Sequence, residues 1–494
     1  MAGSQLAKTW LAGMLLGCMT VAQLSGQDNW GPAFPSVPQT STAVPVVDPP
    51  YLTRTYDVAN PTADAPLPEV PPPAVPPELL DRLKKLEKRL DEADAAKKKL
   101  PSVTMSGVFQ ADGVWFSQTE ASREQFGSIE SGGDIRRARL GARSQVTDTM
   151  NAFIQMDFGF FGRPTFADCW VEQTKVPILG TVRAGQWKQP FGLETVSSFR
   201  YTTFMERSSL FQAFVPFRHL GIGFYNNSED LNTTWAASYF RTGQDQFANS
   251  LSTDGGNGAA ARLTHLLWYS GADGEDYLHF GAGYYMNSPA RELARFRSIP
   301  EIFVGEVQPS PIVGTSGQGV PGAADGTPFF VDTNLMRDVG SVHTFGLEGL
   351  WVRGPLSLQT ETMAAIVNHA TPYDLFYGSY AQVGYFLTGE HRPYDRKAGA
   401  IDRVIPFHSV GKGGRGAWEI AGRFSYIDLT DNSVIGGEMR NLTAGVNWYI
   451  NPNCKWVFNY IHSWVDGRDR FPIPTDRVMS SQTDAFGTRV QVDF

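Results

Sequence analysis

The chain ends Ala485-Phe486-Gly487-Thr488-Arg489-Val490-Gln491-Val492-Asp493-Phe494. Successive side chains of an extended strand point to opposite sides, so Phe486, Thr488, Val490, Val492 and Phe494 share one face. Ala485, Gly487, Arg489, Gln491 and Asp493 share the other. In a soluble sandwich the apolar face would turn to a core, and the terminus would fray. An aromatic last residue on an alternating strand instead suits a closed barrel with lipid outside and water within.

The same period of two recurs upstream. Trp418, Ile420, Gly422, Phe424 and Tyr426 alternate with Glu419, Ala421, Arg423 and Ser425. Leu442, Ala444, Val446, Trp448 and Ile450 alternate with Thr443, Gly445, Asn447 and Tyr449. Leu278, Phe280, Ala282 and Tyr284 alternate with His279, Gly281, Gly283 and Tyr285. Sixteen such segments are predicted: 102–116, 134–146, 151–160, 166–175, 180–188, 219–226, 232–241, 259–270, 276–286, 341–352, 355–367, 377–388, 416–428, 439–450, 454–465 and 484–494. Most suffice to cross a bilayer as a tilted strand of roughly 9–11 residues. Trp115, Trp351, Trp418, Trp448 and Trp464 fall at strand ends, where interfacial girdles belong.

Connection lengths alternate as well. If the first strand runs outward, the outer connections 117–133, 189–218, 242–258, 287–340 and 466–483 are long, while inner turns such as Thr147–Met150 and Asn451–Asn453 are short. One connection breaks the rule: residues 389–415 are inner by parity yet long. Either the strand count slips there or this segment folds into or under the lumen. The fold class expected is thus all-β, a transmembrane antiparallel barrel of about 16 strands over 102–494.

The N-terminal region is different. Residues 1–26 read as a secretory leader, with Lys8 in the basic part, Trp10–Ala22 as the apolar part and Ser25-Gly26 at a cleavage site. Leu15-Leu16-Gly17-Cys18 also resembles a lipobox. Residues 27–77 form a Pro-rich linker with 14 prolines between 31 and 77, which cannot build a packed core. Over 78–100, Leu79, Leu83, Leu86, Leu90, Ala93, Lys97 and Leu100 keep the alternating 4,3 spacing of a short coiled coil. An isolated helix this short is marginal in water and needs partners.

Composition narrows the functions. Charged residues are 19%, aromatics 12%, and glycines number 50, as suits a strand-rich chain whose exterior is not all wet. A formal charge of −8 argues against nucleic acid as the main partner. Three cysteines build no disulfide framework, and Cys169 and Cys454 read as free thiols. No nucleophile elbow occurs, and no histidine pair has metal-binding spacing with a third ligand, so no enzyme and no cofactor is expected.

Several runs resemble the phosphate-selective porin O and P family. They are Ile135-Arg136-Arg137-Ala138-Arg139-Leu140, Ala184-Gly185-Gln186-Trp187-Lys188-Gln189-Pro190-Phe191-Gly192-Leu193-Glu194, and Phe386-Leu387-Thr388-Gly389-Glu390-His391-Arg392-Pro393-Tyr394. Gly416-Ala417-Trp418-Glu419, Asn447-Trp448-Tyr449-Ile450-Asn451-Pro452 and the Phe494 ending match as well. The resemblance covers about 102–494 and implies a homotrimeric sixteen-stranded outer-membrane porin that passes small anions by diffusion. It also implies conduit arginines and, for the phosphate-specific members, a lysine-rich entrance. The barrel region here holds Lys175, Lys188, Lys397, Lys412 and Lys455, which match no such ring.

A pore selects by charge and width. Arg137, Arg139 and Arg143 alternate with apolar or small residues, so all three share a face. That face is expected to be the lumen, because arginine toward lipid costs ~2–4 kcal/mol at mid-bilayer. Stacked arginines give a positive track and bidentate donors for oxyanions. Pairing with acids from an infolded loop is the alternative use of such a ladder. The third outer connection, 189–218, is the expected pore-narrowing loop and carries Arg200 and Arg207, while Arg423 lies on the polar face of its strand. The expected partners are small anions, outer-membrane lipid and further copies of the chain. A second reading makes the barrel an anchor that ties the outer membrane to the cell wall through the N-terminal stalk.

Overall fold

Alternating sequence makes strands whose two faces need different solvents, and closure removes the unpaired edges that lipid would not tolerate. The computed structural model describes residues 81–89, 100–159, 164–243, 255–305, 326–369, 373–468 and 479–494. Within them the chain forms β1 (Ser102–Gln118), β2 (Gly132–Gln145), β3 (Met150–Asp157), β4 (Thr165–Val176), β5 (Gly180–Lys188), β6 (Arg218–Asn227), β7 (Thr233–Arg241), β8 (Asn257–Ser270) and β9 (Asp276–Ser288). Two short strands, β10 (Arg297–Ser298) and β11 (Val331–Asp332), pair with each other. There follow β12 (Ser341–Arg353), β13 (Leu356–Asn368) and β14 (Asp374–Phe386), then the hairpin β15 (Tyr394–Asp395) and β16 (Ala400–Ile401). The last four are β17 (Ala417–Asp431), β18 (Val434–Asn451), β19 (Cys454–Arg468) and β20 (Met479–Asp493).

Without the two short pairs, sixteen antiparallel strands close into one barrel in chain order. The seam joins the first and last strands, from Val108 opposite Asp493 to Gln118 opposite Thr483. The sixteen predicted segments correspond one to one to these strands. The fourteenth is longer than predicted, because β18 continues through Gly436 and Gly437, and Gly437 has φ +87°, which interrupts the alternation that marked its start.

The faces divide as the terminal strand implies. Phe486, Val490, Val492 and Phe494 are exposed on the outside, whereas Arg489, Gln491 and Asp493 are buried inside. Trp418 and Trp448 stack at 5.2 Å on the outer face, near the short-turn end of the barrel. Cys169 and Cys454 are free thiols. The predicted leader, the Pro-rich linker and residues 78–80 and 90–99 of the heptad segment lie outside the described residues. Residues 81–89 are helical, and Leu83 and Leu86 on them are exposed.

Three connections fold into the lumen. Residues 189–217 do so from the long-connection end. Phe191 rests where Gly283 and Gly346 leave room; a Cβ there would come within 2.9 and 3.0 Å of its ring. The described parts of the connection between β9 and β12, residues 289–305 and 326–340, also turn inward, a placement the sequence reading did not assign. They bury Ile302 beside Met205, Val457 and Ala485. The third is 387–416, the long inner connection, so the second of the two readings of its parity holds: it folds in from the short-turn end. Tyr394 Oη lies 2.6 Å from His279 Nδ1, Arg262 donates to the Gly399 carbonyl at 2.7 Å, and Ile401 N donates to Ser197 Oγ at 3.0 Å.

These insertions fill the lumen unevenly. Phe191, Leu210, Phe214, Phe296 and Phe330 join inward residues of β12, β13, β14, β17, β18 and β19 in one apolar core. The side under β2 to β7 keeps an open cavity of about 510 Å³.

Candidate functional site

Strand β2 supplies most of the charge. Period two turns Arg137, Arg139 and Arg143 to the lumen, as the alternation predicts. Between β1 and β2 the register shifts: Gln110 faces Arg137, but Asp112 faces Asp134. The extra residue on β2 is a bulge, which turns Arg136 inward beside Arg137. Arg136 thus joins the site against the simple alternation.

The loop 189–217 brings Glu206 to these arginines. Arg136 donates to both Glu206 oxygens, at 2.9 and 3.2 Å, and Arg489 from β20 donates to Oε1 at 2.6 Å. Arg137 lies 3.7 Å away and donates to Gln110 Oε1 at 2.7 Å. Arg489 is also bidentate on Asp112, at 2.7 and 2.6 Å. Burial alone would push the Glu206 carboxyl up, but the guanidiniums of Arg136, Arg489 and Arg137 outweigh it and hold the carboxyl well below the usual carboxylate range. Arg139 is paired by its own wall, donating to Asp157 on β3 at 2.7 Å. Arg218 pairs with Asp168 at 2.9 Å.

Aromatic rings back the cations. Arg137 and Arg139 lie 4.7 and 4.6 Å over Phe199, and Arg136 lies 4.1 Å over Phe303. Arg143 sits 5.5 Å over Phe153 and 5.3 Å over Trp170. A ring covers one guanidinium face and leaves the N–H edge to other partners. Arg143 is exposed, and among the described residues no carboxylate lies within 4.0 Å of it.

The other predicted positions divide. Arg207 lines the same cavity, but it also braces its own loop, donating to the Glu194 carbonyl at 2.6 Å and the Ser197 carbonyl at 3.1 Å. Burial lowers its guanidinium to about 10, so it stays charged at neutral pH. Arg200 lies apart, in a small recess with Arg403, 3.7 Å from Asp493. Arg423 is 2% exposed and does not line the cavity. It donates to Glu301 at 3.0 and 2.6 Å, and Glu301 also accepts from Ser425 Oγ at 2.6 Å and Ser209 N at 2.8 Å. Arg423 therefore fastens two inserted connections to the wall. The two inward lysines act alike: Lys188 donates to the carbonyls of Val196 and Ser197, and Lys455 to that of Thr202.

A closed sixteen-stranded barrel with an apolar exterior, a charged interior and an infolded narrowing loop defines a channel of the outer-membrane porin class. The family model described as phosphate-selective porin O and P matches residues 104–494, and the chain belongs to that family. It is 26% identical over 374 residues to a protein of Caulobacter vibrioides, covering 74% of this chain and 68% of that one. It is 32% identical over 162 residues to porin O of Pseudomonas aeruginosa, covering 30% and 35% of the two chains. Among solved structures, the anion-selective porin from Comamonas acidovorans aligns with a TM-score of 0.46 at 10% identity, covering 80% of this chain and 99% of that one. The protein is a porin of the outer membrane.

Proposed function

We propose that this porin is a trimeric diffusion channel with a preference for small anions, and that its conduit runs between the narrowing loop and the wall from β2 to β7. The observation that carries this reading is the arginine face of β2. Arg136, Arg137 and Arg139 meet at the open cavity, and Arg143 follows toward the short-turn end. From Arg137 to Arg143 the track spans about 20 Å at roughly 3.3 Å per residue. Carboxylates offset the upper part, and among the described residues Arg143 pairs with none. A positive track in a narrow aqueous path raises the local anion concentration, and salt screens it over about 10 Å at 0.1 M. Arg200, Arg207 and Arg423 contribute by holding the narrowing geometry. Self-association is supported by the heptad seam, whose Leu83 and Leu86 are exposed.

The test is the zero-current potential of the variant with Arg137, Arg139 and Arg143 all replaced by Gln. The anion-to-cation permeability ratio should fall, most at low salt, while conductance persists. An unchanged potential at low salt would remove these arginines from selectivity.

A further inference from the structure

The cavity of about 510 Å³ beside β2 has two unlike sides. The wall presents Arg136, Arg137 and Arg139. The loop presents Phe211, Val215 and Phe217, joined by Ile299 of the inserted β9–β12 connection. Phe211 and Phe217 meet edge to face at 5.0 Å. Arg207 lies 4.5 Å over Phe211, and Arg218 lies 4.6 Å over Phe217. All three loop side chains are only half-buried, so apolar surface faces the aqueous path.

Polar side chains line the cavity as well. Arg137, Arg139, Ser209, His219 and Thr242 line this cavity, and each keeps one enclosed polar atom without a hydrogen-bond partner among the described residues. A hydrated inorganic ion needs no apolar wall, and aromatic surface left in water is unfavourable unless something apolar covers it. A cavity of this size matches those that hold small organic ligands.

We propose that this cavity is a binding station for organic carboxylates, with the carboxylate on Arg137 and Arg139 and an aromatic or short aliphatic body against Phe211 and Phe217. This rests on the anion-channel reading and adds the class of solute. The full-length protein in planar bilayers tests it. Chloride current is titrated with benzoate, with acetate and with inorganic phosphate. Benzoate should reduce the current saturably, with a half-blocking concentration about tenfold below that of acetate, the ratio expected for burying part of a ring. In the double variant Phe211→Ala and Phe217→Ala the benzoate and acetate values should converge. Arg139→Gln should weaken block by both. Should the double variant fail to insert, the comparison of benzoate, cyclohexanecarboxylate and acetate on the natural channel decides alone. Equal half-block by all three overturns the proposal, as does phosphate blocking more tightly than benzoate. The zero-current potential of the same channels separates the two readings. No anion preference defeats the channel reading. Anion preference without discrimination among the carboxylates defeats only the station.

Discussion

At the scale of single residues, arginines with similar sequence settings do different work. Arg143 is exposed, with no carboxylate within 4.0 Å among the described residues, so Arg143→Gln should cut anion preference at low salt and leave stability within about 0.5 kcal/mol. Thermal unfolding and reversal potentials read the two effects. Arg423 is its opposite. Removing one partner of the buried Arg423–Glu301 pair should destabilise by ~3–5 kcal/mol, so Arg423→Gln should unfold at markedly lower temperature. Glu206 adds a pH signature. A carboxyl whose pKa is lowered by folding contributes stability above the ordinary glutamate value and loses it only as pH falls through the depressed one. Selectivity should therefore be the same at pH 7 and about pH 4.5, where a free glutamate is partly protonated. A drift across that range that the Glu206→Gln variant lacks would show that Glu206 titrates normally. The lumenal face of Arg137, Arg139 and Arg143 was legible from period two alone. Arg136 was not, because a bulge defined jointly with β1 turns it inward.

At the scale of elements, the barrel strands were legible because each carries its own two-solvent pattern. The insertions were legible only in part. The expectation that 189–218 folds inward to narrow the pore came from its place in the strand order, and the parity break exposed 389–415 as an anomaly. The inward turn of the β9–β12 connection left no local signal. Its anchor joins Glu301 to Arg423 across 122 positions of sequence. One sign was present: glycines on inner faces. Gly283 and Gly346 seat Phe191, Gly445 lies against Phe204, and Gly487 against Met205 and Ile302. Gly283→Leu should expel Phe191 from its seat, destabilise by about 1–3 kcal/mol and lower single-channel conductance as the loop is pushed off the β9–β12 wall toward the conduit. Unaltered conductance with unaltered stability would mean that the loop does not rest there.

At the scale of the whole molecule, stalk and barrel make separable claims. Without residues 31–100 the barrel keeps its closed seam between β1 and β20, so the shortened protein should still insert and conduct. Loss of conduction would tie the stalk to the channel itself. The trimer is expected to survive detergent and to dissociate on heating, and a monomer at every detergent concentration would contradict it. The central claim is that an off-centre, arginine-lined path makes this porin prefer anions. The zero-current potential of the natural channel in a KCl gradient tests it most directly. The expected result is a potential of the sign set by chloride, growing as salt is lowered and the Debye length lengthens. A potential set by potassium, or none at low salt, would contradict it.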